Sequence, residues 1–127
     1  MSEPGKKKIL ICDDEPMIVE SIRYVVKKEG FEFVVAHDGQ EAVEKLADFH
    51  PDLIVLDASM PRMTGYEVCS VIKGDDRTAG IPVLMLTANA QATDRDKAVG
   101  AGADEYMTKP FSPRNLREKI LAMTGIQ

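Results

Sequence analysis

What most constrains the fold of this 127-residue chain is a set of short apolar runs with no polar alternation inside them. They span Ile9 to Cys12, Phe33 to Ala36, Leu53 to Leu56 and Val83 to Leu86, with a weaker pair at Tyr106 and Met107. A strand with one wet face alternates polar and apolar residues, so uninterrupted runs of this length suit strands covered on both faces, as in a parallel sheet. The segments between them carry helical spacing instead. Ile18, Ile22, Val25 and Val26 fall at i, i+4, i+7 and i+8, with Gly30 beyond the end, and Ala42, Val43 and Leu46 form a shorter stripe after Gly39. Thr64 followed by Glu67 is a capping-box pattern that opens the stripe Val68, Val71 and Ile72. Ser112 and Pro113 place a cap and a first-turn proline ahead of Leu116, Ile120 and Leu121, with Gly125 as the stop. The segment from Gln91 to Val99 has a mostly alanine apolar side and is expected to be loosely held. Five strands alternating with five helices define an α/β chain. Right-handed crossovers then place helices on both faces of an open, doubly wound parallel sheet.

A chain of this length buries roughly two thirds of the surface it exposes unfolded, enough for a core without disulfides or a structural metal. Residues 1–5 are expected to form a flexible tail and residues 6–127 a single domain, with no linker, repeat or second unit. The 16 Lys and Arg against 21 Asp and Glu give a net charge of −5, and only Lys6, Lys7 and Lys8 cluster. That balance argues against direct nucleic-acid binding, which needs basic side chains concentrated on one face. The apolar stretch after those lysines ends at Asp13, too short for a signal peptide. No run approaches the ~18 residues of a membrane helix, so a cytoplasmic protein without membrane insertion is expected. Cys12 and Cys69 sit inside apolar segments without a CxxC pattern and read as reduced, buried thiols. His37 and His50 lie apart from each other and from any thiol pair, which leaves no zinc pattern.

Ligands of open parallel sheets bind outside the carboxyl ends of the strands. The polar residues that directly follow the apolar runs are Asp13 and Asp14, Asp57, Thr87 and Lys109, and this topology puts all of them on one rim. Singly, each has a local role. Asp14 ahead of Glu15 and Pro16 reads as a helix N-cap, Asp57 as the opening of a turn through Met60 and Pro61, Thr87 as a local cap, and Lys109 as a solvated lysine before Pro110. Local roles do not explain why three carboxylates, a hydroxyl and an ammonium collect at one rim while the opposite rim carries no comparable set.

Taken together, Ile11-Cys12-Asp13-Asp14-Glu15, Leu56-Asp57-Ala58-Ser59-Met60-Pro61, Leu86-Thr87-Ala88, Gly100-Ala101-Gly102-Ala103-Asp104 and Lys109-Pro110-Phe111 form a specific combination. With them the chain resembles the receiver domain of two-component response regulators, most of all the free-standing chemotaxis type, from about Lys8 to Met123. The resemblance implies a flavodoxin-like fold with strand order 2-1-3-4-5. It implies that Asp57 accepts a phosphoryl group from the phosphohistidine of a sensor histidine kinase or histidine phosphotransfer protein, or from a small phosphodonor. It implies Mg²⁺ held by Asp14, Asp57 and the Ser59 backbone carbonyl, with Asp13 acting directly or through water, Lys109 and Thr87 meeting the phosphoryl oxygens, and a cis peptide at Lys109–Pro110.

The resemblance also implies a switch. Thr87 moves inward, Tyr106 turns into the vacated space, and the surface of the Gln91–Val99 helix, the fifth strand and the Ser112–Met123 helix changes its affinity for a downstream protein. The same face is the candidate dimer surface. Ser59 and Asn89, two residues beyond Asp57 and Thr87, occupy the positions that tune phosphoryl lifetime in the family. No enzyme activity is implied beyond the domain's own phosphoryl transfer and autodephosphorylation.

With that strand order the first and third strands are neighbours about 4.8 Å apart. Like charges ~5 Å apart at an effective dielectric near 20 cost about 3 kcal/mol per pair, which Lys109 offsets only in part. A hard divalent cation that takes carboxylate, water and phosphate oxygens is the natural counter-ion. Two new charge-assisted hydrogen bonds to a phosphoryl group, from Thr87 and Lys109, contribute about 3–6 kcal/mol. That is close to the ~5.5 kcal/mol needed to reverse a 1:99 equilibrium. Two other classes fit less well. A haloacid-dehalogenase-type phosphatase needs an acid two residues after the nucleophile, where this chain has Ser59, and a flavin carrier needs a Ser/Thr/Gly-rich phosphate loop where it has Asp13-Asp14-Glu15.

Overall fold

The structure is a computed structural model that describes residues 7–88 and 92–125. Five strands, β1 (Lys8–Cys12), β2 (Glu32–Ala36), β3 (Leu53–Asp57), β4 (Val83–Thr87) and β5 (Glu105–Thr108), alternate with five helices. The helices are α1 (Pro16–Lys28), α2 (Gly39–Phe49), α3 (Gly65–Gly74), α4 (Ala92–Ala101) and α5 (Pro113–Thr124). All pairings are parallel and the order is β2-β1-β3-β4-β5, the flavodoxin-like arrangement expected from the sequence.

The apolar runs are continuous because successive side chains enter two different cores. Leu10, Cys12, Ile54, Leu56, Val83 and Met85 point to the face covered by Ala42 and Leu46 of α2, Val68 and Ile72 of α3, and Ala98 of α4. Ile9, Ile11, Leu53, Val55, Leu84 and Leu86 point to the other, covered by Ile22, Val25 and Val26 of α1 and Leu116 and Ile120 of α5. Both cysteines are free and buried, as the sequence suggested. No helix among the described residues is long and apolar enough to cross a membrane.

Local signals set most of the element ends. The Thr64 hydroxyl accepts the Glu67 N–H while the Glu67 carboxylate accepts the Thr64 N–H, a complete capping box. Ser112 caps α5 through the Asn115 N–H, and Gly125, at φ 77°, closes it in the left-handed region that glycine adopts without strain. Three expectations need correction. The N-cap of α1 is Glu15, not Asp14, and it makes no side-chain cap bond, its carboxylate accepting from Lys109 Nζ instead. Val71 is 44 % exposed: Val68, Cys69 and Ile72 fill the inner side of α3 and leave it on the outer one. The fourth helix runs on to Ala101, with Val99 64 % exposed and Ala98 taking the buried place.

Candidate functional site

The pairing of β1 with β3, Cys12 opposite Leu56, sets Asp13 beside Asp57 at the carboxyl edge of the sheet. The Asp13 N–H donates to the Ala36 carbonyl at 3.2 Å, so the residue stays anchored past the end of its strand. Thr87 closes β4 opposite Thr108, and its carbonyl accepts the Lys109 N–H at 2.7 Å, which fixes the start of the last loop. The Lys109–Pro110 peptide is cis. Asp13 is fully buried, Asp57 is 3 % exposed and Thr87 5 %.

Into this pocket Lys109 sends its ammonium. Nζ lies 3.2 Å from Asp13 Oδ2, 3.2 Å from Asp57 Oδ1 and 2.8 Å from Glu15 Oε1. Asp13 Oδ1 accepts the Glu15 N–H at 2.9 Å, and Asp57 Oδ1 accepts the Ser59 N–H at 3.3 Å. Burial raises the Asp57 carboxyl to about 6, reinforced by the charge of Asp13 and opposed by Lys109. Burial raises Asp13 too, against the Glu15 N–H and Lys109. Desolvation works against the Lys109 ammonium, but the Glu15 hydrogen bond and the charges of Asp13 and Asp57 outweigh it and hold the proton more firmly than in free lysine. Burial foremost and then Asp13 and Asp57 suppress ionisation of the Cys12 thiol, which donates to Met60 Sδ at 3.3 Å and to the Asp38 carbonyl at 3.7 Å.

Two buried oxygens, Asp13 Oδ2 and Asp57 Oδ2, have no well-aligned hydrogen bond, and of these only Asp13 Oδ2 is ion-paired to Lys109. Buried carboxylate oxygens ordinarily find a partner. One oxygen each from Asp13, Asp14 and Asp57 lies within 4.8 Å of the others, with Asp14 on the exposed side. The orphaned Asp57 oxygen and an all-oxygen donor set fit a hard divalent cation such as Mg²⁺ and do not fit a thiophilic metal.

The family model for the response regulator receiver domain matches residues 9–121. The chain belongs to the response regulator receiver family. Phosphorylation-dependent signalling is the general function of that family, whose members receive phosphoryl groups from sensor kinases and bind Mg²⁺ at an acidic pocket. The chain is 42 % identical over 117 residues to the alkaline phosphatase synthesis transcriptional regulatory protein PhoP of Bacillus subtilis, covering 92 % of this chain and 48 % of that protein. It is 37 % identical to the DNA-binding response regulator MtrA of Mycolicibacterium smegmatis, covering 92 % and 50 %. The receiver thus spans about half the length of these curated relatives. Among solved structures it resembles chemotaxis response regulator CheY4 of Vibrio cholerae, with 29 % identity, TM-score 0.88 and coverage of 93 % of this chain and 98 % of that one. A response regulator from Chloroflexus aurantiacus superposes with TM-score 0.90 at 29 % identity, covering 94 % and 98 %.

The receiver fold brings Asp13, Asp14, Asp57 and Lys109 together at one edge, with Thr87 on the adjoining strand end. Ser59 is exposed and touches Asp57 through its N–H. Tyr106 lies opposite Met85 on β5, half-buried against the core beneath α4. Asn89 lies outside the described residues. Two participants escaped the sequence reading. Glu15 supplies the shortest contact of the Lys109 ammonium among the described residues, and Gly65 lets the first turn of α3 sit against the end of β3, its N–H donating to the Ala58 carbonyl at 2.9 Å. The proline after Glu15 and the glycine after the Thr64 cap were the available signals.

Proposed function

We propose that Asp57 is the phosphoryl acceptor of this receiver and that the Asp13–Asp14–Asp57 pocket holds Mg²⁺. The observation that carries this is a buried carboxylate with Lys109 Nζ 3.2 Å from one oxygen, its other oxygen unpartnered, and the acids Asp13 and Asp14 beside it. Such a carboxylate is a competent nucleophile. An Asp57 oxygen attacks phosphorus, the bond to the donor's imidazole nitrogen or acyl oxygen breaks and its electron pair leaves with the donor, and the product is a mixed anhydride. Mg²⁺ when bound offsets charge on the carboxylates and on the phosphoryl oxygens. Lys109 and the Thr87 hydroxyl meet those oxygens, an arrangement of fixed positive charge and donors that suits phosphoryl transfer. Ser59, whose N–H meets Asp57, and Asn89, by its sequence position two residues after Thr87, are proposed to tune the access of the water that returns Asp57 to the free acid.

The output is proposed to run through Thr87 and Tyr106 to α4, β5 and α5. A groove of about 640 Å³ there, lined by Tyr106, Thr108, Phe111, Asn115 and Lys119 among others, suits a protein partner or a second copy better than DNA, given the net charge of −5. The kinase-side partner is a sensor histidine kinase or phosphotransfer protein, met in the cytoplasm.

Incubation with Mg²⁺ and acetyl phosphate is expected to add one phosphoryl group, located by peptide mass mapping at Asp57. Label at another residue, or none, overturns the assignment. Mg²⁺ at tenfold its dissociation constant is expected to stabilise the fold by about 1.4 kcal/mol, raising the melting temperature by a few degrees in calorimetry. An unchanged melting temperature counts against the metal site.

A further inference from the structure

Glu15 is the contact of Lys109 that the switch leaves without a task. Its carboxylate is 58 % exposed, yet it makes the shortest contact of the Lys109 ammonium among the described residues, at 2.8 Å, whereas Asp13 and Asp57 each stand at 3.2 Å. Its backbone is held on both sides. The N–H donates to Asp13 Oδ1 at 2.9 Å, and Pro16 follows, restricting Glu15 to the extended conformation it adopts at φ −92° and ψ 113°. It is the N-cap of α1 but makes no capping bond with its side chain, so the carboxylate is free to reach across 94 residues of sequence to the lysine.

An ammonium has three donors. In the unmodified pocket Glu15, Asp13 and Asp57 are its three neighbours, and a phosphoryl group on Asp57 would need one of those donors. Asp13 and Asp57 are buried and fixed. Glu15 is the exposed member of the trio and the one able to swing out into water.

We propose that Glu15 is the resting partner of Lys109, a positioning residue that keeps the ammonium from closing fully onto Asp13 and Asp57 and that an incoming phosphoryl oxygen displaces. This rests on Asp57 being the acceptor. The consequences for metal and phosphoryl group have opposite signs. Without Glu15, the lysine relaxes onto the two aspartates and competes with the metal, so Mg²⁺ alone binds more weakly. The phosphoryl mimic no longer competes with a carboxylate for the lysine, so it binds more tightly once Mg²⁺ is saturating. Each shift is expected to be about two- to fivefold, the scale of an exposed ion pair.

The test is calorimetric titration of the native chain, Glu15→Ala and Glu20→Gln, first with Mg²⁺ and then with beryllofluoride at saturating Mg²⁺. Glu20 pairs with Arg23 on α1, so its substitution removes one acid without touching Lys109. The expected result is weaker Mg²⁺ and tighter beryllofluoride binding in Glu15→Ala alone. Loss of both affinities in Glu15→Ala marks a merely structural residue and overturns the proposal. Equal shifts in Glu20→Gln mark a plain charge effect and overturn it too. Beryllofluoride binding by the native chain that Glu15→Ala leaves unchanged sinks the Glu15 role while sparing the acceptor assignment, whereas no binding by the native chain sinks both.

Discussion

With Asp57 changed to asparagine, the protein is expected to take up no phosphoryl group from acetyl phosphate and, in the absence of metal, to unfold at a higher urea concentration than the native chain. The first effect is complete, since an amide is not a nucleophile towards phosphorus. The second follows from the pocket's electrostatics. Burial and the neighbouring Asp13 raise the Asp57 carboxyl to about 6 in the folded state, from an ordinary value of 3.8. A folded-state value above the unfolded one means that the native state holds the extra proton between those limits. Stability associated with this group is therefore full below about pH 4 and is lost as pH rises through 6. At pH 7 the ionised carboxylate costs about 1–3 kcal/mol, taking 1.36 kcal/mol per unit and discounting for partial screening. Asparagine removes that cost and puts an amide donor beside Asp13 in place of a second charge. The gap between the two proteins in chelator is expected at pH 7 and should close as pH falls from 6 to 4. A native chain more stable than the variant at pH 7, or a gap that widens on acidification, contradicts this account.

Gly65→Ala is expected to destabilise the protein by about 1–3 kcal/mol and to weaken Mg²⁺ binding with it. A β-carbon at residue 65 would press against the Asp57 carbonyl oxygen and stand 2.8 Å from Ala58 Cα, and both are backbone atoms that cannot rotate aside. Relief requires α3 to lift off the end of β3, the strand end that carries Asp57. The gain in helix propensity from glycine to alanine, about 1 kcal/mol, does not cover this. Gly74 at the other end of α3 is the control, because an added β-carbon there meets nothing within 4 Å. Gly74→Ala should leave stability equal or slightly raised and Mg²⁺ binding unchanged. Urea titration of both variants with and without Mg²⁺ separates the cases, and equal effects from the two substitutions would discount the contact at Asp57.

Elements whose causes lie within a few residues were legible from the chain alone. The Thr64–Glu67 box and the Ser112–Pro113 start of α5 are closed by hydrogen bonds three residues apart. The fully apolar runs announced strands covered on both faces, and both faces are covered. Where helical spacing offered more apolar positions than one face could bury, as at Val71, the choice depended on which side met the sheet.

The rim itself shows the division. Sequence determined that acids, a hydroxyl and a lysine follow the strands, because parallel topology sends every strand's carboxyl end to one edge. It did not determine that Asp13 is fully buried while the adjacent Asp14 is exposed, nor that Lys109 meets a carboxylate 94 positions earlier. Burial and partner choice arise from strand register and from helices closing over the sheet. They are sums over contacts far apart along the chain, and tertiary packing alone decided which of the neighbouring acids would be desolvated.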